Sequence, residues 1–391
     1  MDKMLVGIIG APNKGKSTLF SALTQIKVQI ADYPFTTIDP NKGVAYVTVT
    51  CVEKELGVKC NARNSLCKEG IRMIPVNIMD VAGLVEGAHE GKGMGNQFLN
   101  NLSTADAFML VVDASGRTDS SGNPCDGCNP EDDIEMVVKE LDEWLAGIVK
   151  KHMPSISGSK NGVDALHEVL AGLKIRKEDI EKAIDSCYLS SSNINWSEED
   201  ILDFSKKLLE ISKPIEIIAN KADSNDAEKN IERLKSKYKN VYECSAAIEL
   251  ALQKAVEQHI IDYIPGNRTF NVLGNANEEQ KKALEYMLDY INKKEYGTGT
   301  QHALNSLVFD VLENIVVYPV EDENKYSDHM GNILPDALLI KKGLTALEMA
   351  EMIHTDIAKH MLYAIDAKKK IRIGKDYKLK NNDVIKVVST A

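Results

Sequence analysis

Two patterns alternate along this chain. Compact apolar runs at residues 4–9, 71–79, 214–219, 241–244 and 315–320 have the length and composition of buried strands. Between them lie segments with helical spacing. Residues 132–152 put Ile134, Val137, Val138, Leu141, Leu145 and Ile148 on one stripe. Residues 161–187 carry a second helical pattern, and Ser197-Glu198-Glu199-Asp200 is an N-cap followed by acids that opens a third helix toward Ile211. A charged helix follows over 275–294, and the glycine-rich stretch 296–300 reads as a linker. Beyond it come the 315–320 strand, an apolar segment at 338–340, a helix around 348–360 and a closing strand at 383–388. This order predicts an α/β fold: a mostly parallel sheet, a helical insertion between 113 and 214, and a smaller C-terminal module. The stripes of the insertion fit either a coiled-coil-like arm or helices that face a core.

The loop after the first strand carries the strongest chemistry. Gly10-Ala11-Pro12-Asn13-Lys14-Gly15-Lys16-Ser17-Thr18 fits G-x-x-x-x-G-K-[ST], and the apolar residues 19–23 continue it as a helix. Glycines let the backbone curl so that several N–H groups, those around Lys14 to Thr18 among them, point at a phosphate. Lys16 can reach the β- and γ-phosphates, and the Ser17 hydroxyl can ligate Mg²⁺. A second group, Asp80-Val81-Ala82-Gly83-Leu84, closes the 71–79 strand. Asp80 there can hold the metal through water, and the Gly83 N–H can meet a γ-phosphate with no side chain in the way.

The third group, Asn220-Lys221-Ala222-Asp223, ends the 214–219 strand. A carboxylate at Asp223 accepts from the N1–H and 2-amino group of guanine, both of which adenine lacks. Asn220 can brace the loop and Lys221 can lie over the base. Ser245-Ala246-Ala247 follows the next strand, where backbone N–H groups can reach the guanine O6. These four groups, in this order and each at a strand end, resemble the signature of a small GTPase domain, with the ligand at the C-terminal strand ends.

Composition adds limits. The chain has 391 residues and 43% hydrophobic content, enough for two or three domains. It shows no membrane-length apolar stretch and no signal-peptide pattern, so a cytoplasmic protein without a membrane partner is expected. A net charge of −11 argues against wholesale coating of nucleic acid but leaves room for a local basic patch. Seven cysteines do not suggest a disulfide framework. Cys125-Asp126-Gly127-Cys128 has metal-ligand spacing, but there is no second Cys-x-x-Cys, and Cys51, Cys60 and Cys67 lie elsewhere.

Further residues narrow the resemblance: Asn13 to Ser17, Asp32-Tyr33-Pro34-Phe35-Thr36-Thr37-Ile38-Asp39-Pro40-Asn41, and Asp80 to Leu84 running into Gly87 to Phe98. They are similar to the Obg-related GTPases, in the YchF-like branch and its archaeal form. The resemblance implies that Thr37, with Thr36 its nearest rival, ligates Mg²⁺ in the GTP state. It implies that Asn13 helps bind K⁺, and that Leu84 stands where other GTPases carry a water-orienting glutamine. His89 is a weaker catalytic candidate. Relatives that favour ATP have altered the base motif. Asn220, Lys221 and Asp223 are intact here, so GTP is expected, with Lys16 and Gly83 at the reacting phosphate and a slow intrinsic rate.

The C-terminal part resembles a TGS domain, a ubiquitin-like β-grasp module, which implies an RNA or ribosome partner. Lys368, Lys369, Lys370, Arg372, Lys375, Lys378 and Lys380 give it a basic surface. The expected division is a G domain over 1–115 and 213–300, the latter including a linker helix, a helical insertion over 116–212, and the TGS-like module over 301–391. The competing readings are an RNA- or ribosome-binding module in which nucleotide is mainly structural, and an ATPase.

Overall fold

The computed structural model describes residues 4–25, 41–81, 83–88, 103–191, 194–274 and 276–390. Thr36, Thr37, His89 and Gly91 to Gly95 lie outside them. The first sheet is built on β1 (Leu5–Ile9), whose residues from Val6 onward are buried. Beside it run β4 (Ile71–Asp80), β5 (Ala107–Asp113), β6 (Ile215–Asn220) and β7 (Val241–Glu243), all parallel, in the order β4-β1-β5-β6-β7. Two antiparallel strands extend it along β4: β2 (Lys42–Thr50) and the short β3 (Leu66–Lys68). β5 is buried at every position, as a central parallel strand covered on both faces must be. Helix α1 (Lys16–Thr24) starts where β1 ends, with the phosphate loop between them.

Four helices fill the chain between β5 and β6: α3 (Pro130–Ser157), α4 (Gly162–Leu170), α5 (Lys177–Ser186) and α6 (Glu198–Ser212). A short α2 (Glu53–Leu56) precedes them. Ile134, Val137, Leu141 and Leu145 of α3 share one core with Ile9, Phe108, Leu110 and Val112 of the sheet. The insertion therefore lies on the sheet rather than projecting as an arm, because its stripes bury more apolar area there than in solvent. The pattern over 161–187 resolves into two helices, α4 and α5, broken at residues 171–176, where Lys174 takes a left-handed conformation. Ser197 caps α6 with Asp200 in a reciprocal capping box.

After α7 (Ala227–Lys237) and α8 (Ala246–Glu257), the pair β8 (Ile261–Asp262) and β9 (Asn271–Val272) leads to α9 (Glu278–Lys293). The stretch 296–300 is no free linker. Thr298 and Thr300 are buried, Thr298 donates to the buried Glu249 carboxylate, and its carbonyl accepts from Ser245 N–H at 2.9 Å. Helix α10 (Thr300–Ser306) then seals the edge strand β2, with the Asn305 carboxamide pairing to both backbone groups of Thr48.

The C-terminal sheet orders β11 (Leu338–Lys341), β10 (Asn314–Val320), β14 (Asp383–Ser389), β12 (Met361–Asp366) and β13 (Ile371–Ile373). Only β10 and β14 are parallel, and the mixed sheet curls around a helix as a β-grasp does. The expected helix around 348–360 is two, α11 (Ala346–Ile353) and α12 (Thr355–Lys359), parted at His354.

A P-loop nucleotide site and its family

Sterics demand the conformation of the phosphate loop. Gly15 has φ +94°, and a Cβ there would lie 2.2 Å from Asn220 Nδ2. That amide donates to the Lys14 carbonyl at 2.9 Å, while Asn220 Oδ1 accepts from Ala246 N–H at 3.1 Å. One side chain thus ties the phosphate loop, the 220–223 loop and the 245–247 loop together. The Ser245 hydroxyl donates to Asp223 Oδ1 at 2.6 Å and fixes the rotation of that carboxylate. The amides of Ser245 and Ala246, expected to be spare for a base, are both committed, to Thr298 and Asn220.

At the other end of the site, the Ser17 hydroxyl donates to Asp80 Oδ2 at 2.7 Å. The two groups expected to hold a cation are therefore in contact, and hard oxygens of this kind suit Mg²⁺. Lys16 Nζ donates to the Ala11 carbonyl at 2.8 Å. Burial pulls its ammonium below the ordinary lysine range, partly offset by the charge of Asp80. A Cβ on Gly83 would sit 3.3 Å from Lys16 Nζ, so the Gly83 backbone faces the lysine directly. Leu84 is different. Its N–H donates to the Gly10 carbonyl, and its side chain is buried in the core shared with the insertion. Three residues on, Gly87 N–H donates to Glu140 of α3 at 2.7 Å.

Two phosphate-loop side chains turn away from the loop. Lys14 is fully buried and pairs with Asp133 of α3 at 2.8 Å, while also donating to the Thr118 and Asp119 carbonyls. Asn13, at φ 61°, donates from Nδ2 to the Gly122 carbonyl at 2.8 Å. Lys14 is thus restricted to its backbone in any phosphate contact. Asp113, which sequence reasoning passed over, closes the set. Burial pushes its carboxyl up, but Lys221 at 2.7 Å and the Ser115 and Thr118 hydroxyls outweigh it and hold it below the usual range. Its signal was a lone acid ending a wholly apolar strand.

Fold and loops together define a P-loop GTP-binding protein with a C-terminal β-grasp module. Residues 5–156 match the family model of the 50S ribosome-binding GTPases, residues 218–322 that of the Obg-like GTPase YGR210-like, G4 motif-containing domain, and residues 330–389 that of the TGS domain. The GTP-binding protein MJ1332 of Methanocaldococcus jannaschii is 52% identical, over 99% of either chain. The ribosome-binding ATPase YchF of Mycoplasma genitalium is 28% identical over 97% of each. A crystal structure of a GTP-binding protein from Pyrococcus horikoshii OT3 superposes with a TM-score of 0.80 at 35% identity, covering 99% of this chain and 100% of that one. The chain belongs to the Obg-related P-loop GTPases, in their YchF-like branch. Among the described residues no helix is long and apolar enough to cross a membrane.

Proposed function

We propose that this chain binds GTP in preference to ATP, hydrolyses it slowly to GDP and phosphate, and works as a switch on the ribosome or another RNA partner. The observation that carries the base preference is the Asp223 carboxylate held by Ser245 within the loops that Asn220 braces. An adenine would leave that acceptor without its donors, a loss of several kcal/mol. The next amide along, that of exposed Ala247 in the first turn of α8, is the candidate donor to O6. Titration of GTP, GDP, ATP and ADP by calorimetry tests this. Guanine nucleotides should bind on the order of a hundredfold more tightly. Equal or tighter ATP binding overturns it and favours the ATPase reading that the name of the Mycoplasma relative carries.

For the chemistry, Lys16 and the Gly83 N–H supply positive charge at the γ-phosphate as water attacks it. Ser17, Asp80 and Thr37 are the residues to hold Mg²⁺, which when bound neutralises charge on the phosphates. Leu84, packed in the core, offers no side chain to orient water, so slow turnover is expected. K⁺ near Asn13 is the proposed source of the missing charge, and it requires that side chain to turn from the Gly122 carbonyl toward the ion. It predicts faster hydrolysis in KCl than in NaCl at matched ionic strength, and equal rates remove it. Multiple-turnover hydrolysis measured with and without ribosomes separates this switch from a module whose nucleotide is only structural.

A further inference from the structure

Far from the nucleotide site, the chain folds three cysteines and a glutamate onto one point. Cys51 follows β2, Glu53 stands in the first turn of α2, Cys60 lies in the loop beyond it, and Cys67 is in β3. One ligand atom from each lies within 4.8 Å of all the others. Cys51 is buried, and the other three are partly covered. The three sulfurs are free thiols, whereas Cys125 and Cys128 are joined in a disulfide.

We propose that Cys51, Cys60, Cys67 and Glu53 form a structural zinc site. Three thiolates and one carboxylate make a four-ligand set that suits the tetrahedral preference and borderline softness of Zn²⁺ and excludes Mg²⁺ and Ca²⁺. A disulfide would use two sulfurs and leave the third, with its carboxylate neighbour, unexplained. The surroundings fit a strongly anionic centre. Arg72, opposite Cys67 in the β3–β4 register, is fully buried, and its Nη1 has no hydrogen-bond partner. Its charge offsets that of the ligands. Outer contacts order the set as well, since Glu53 Oε2 accepts from Cys60 N–H at 2.8 Å.

The site lies where the two sheets meet. The loop that carries Cys60 continues into Asn61, whose N–H donates to the Ile333 carbonyl at 2.8 Å, and Arg63, whose N–H donates to the Pro335 carbonyl at 2.7 Å. Arg72 Nη2 donates to the Leu334 and Pro335 carbonyls. Zinc would therefore pin the segment that docks the TGS module onto the nucleotide-binding domain.

The test uses the full-length chain, purified with reductant and without a metal-affinity tag. Elemental analysis should find about one zinc per chain. After chelation, Co²⁺ added to the wild-type protein should give a thiolate-to-cobalt charge-transfer band and tetrahedral ligand-field bands. Cys60→Ser and Cys67→Ser should each lose the bound zinc, and Cys187→Ser, remote from the cluster, should keep it. Glu53→Gln should keep the charge-transfer band but bind zinc at least about tenfold more weakly, a loss that even outer partners cause. The cobalt spectrum of the wild type needs no variant to fold. Absence of zinc together with absence of that band overturns the proposal. So does a disulfide among the three cysteines, or zinc retained by Cys60→Ser.

Discussion

At the scale of single residues, Asn220 shows how one carboxamide sets the geometry of three loops. Its reach to the Lys14 carbonyl is possible only because Gly15 has no side chain. Gly15→Ala would force a Cβ onto Asn220 Nδ2 and hold an L-residue at φ +94°. The strain is about 1–3 kcal/mol, and the displaced hydrogen bond adds about 1 kcal/mol. GTP affinity should fall by at least about tenfold, read by calorimetry, with a lower melting temperature. An unchanged affinity would mean that Asn220 does not shape the phosphate loop. The roles of Lys14 and Asn13 were not legible in sequence. Their motif positions say where the backbone goes, while Thr118, Gly122 and Asp133, over a hundred residues away, decide where the side chains go. The zinc cluster was hidden for a related reason. Its ligands have no standard spacing, and they meet only because β3 pairs with β4 and the 57–65 loop folds back.

At the scale of elements, the strands that hold the motifs were readable, since buried parallel strands are short apolar runs ending in loop residues. β1, β4, β6 and β7 each lie within about a residue of expectation. β2 was harder, because Lys42, Thr48 and Thr50 interrupt its apolar residues at exposed or half-buried positions. β12 was passed over although its residues are mostly apolar, with Leu362 turned outward. β6 also carries a feature its apolar pattern conceals. Glu216 is fully buried in it, and burial, with help from the charge of Asp310, pushes its carboxyl up to about 8. The folded state therefore keeps a proton that the unfolded chain releases near its ordinary value. Stability from this group is full below about pH 4.5 and is lost as pH rises toward 8. Glu216→Gln cannot ionise, so between pH 5 and pH 8 the wild type should lose about 2–4 kcal/mol relative to it. Urea denaturation at both pH values measures the difference. Parallel pH dependence of the two proteins would show that Glu216 ionises freely in the fold.

At the scale of the whole molecule, the two sheets are joined more tightly than the glycine-rich 296–300 stretch suggested. Arg72, Asn61, Arg63 and Asn64 bond across to residues 333–337, and Lys368 pairs with Glu55 of α2 at 2.7 Å. Truncation before α10 would strip a buried guanidinium of its carbonyl partners and open the edge of β2, so it cannot test the TGS module by itself. The basic run also has internal work. Lys369 pairs with Asp366, Lys370 donates to the Glu323 carbonyl and lies over Tyr326, and Arg372 stacks on Tyr363. Lys375, Lys378 and Lys380 are exposed as well and stand outside these pairings. With a net charge of −11, the chain as a whole repels RNA, so any phosphate pairing must come from such a local patch. Reversing these three lysines to glutamate in the full-length chain should leave GTP affinity unchanged. Association with ribosomes should weaken, and the slope of log affinity against log salt should fall by about one for each lysine–phosphate pair removed. Co-sedimentation over a salt series reads both quantities. Equal sedimentation of the two proteins at low salt would remove this face of the TGS module from any RNA interface and shift the search to its exposed apolar residues, Leu362 and Ile371.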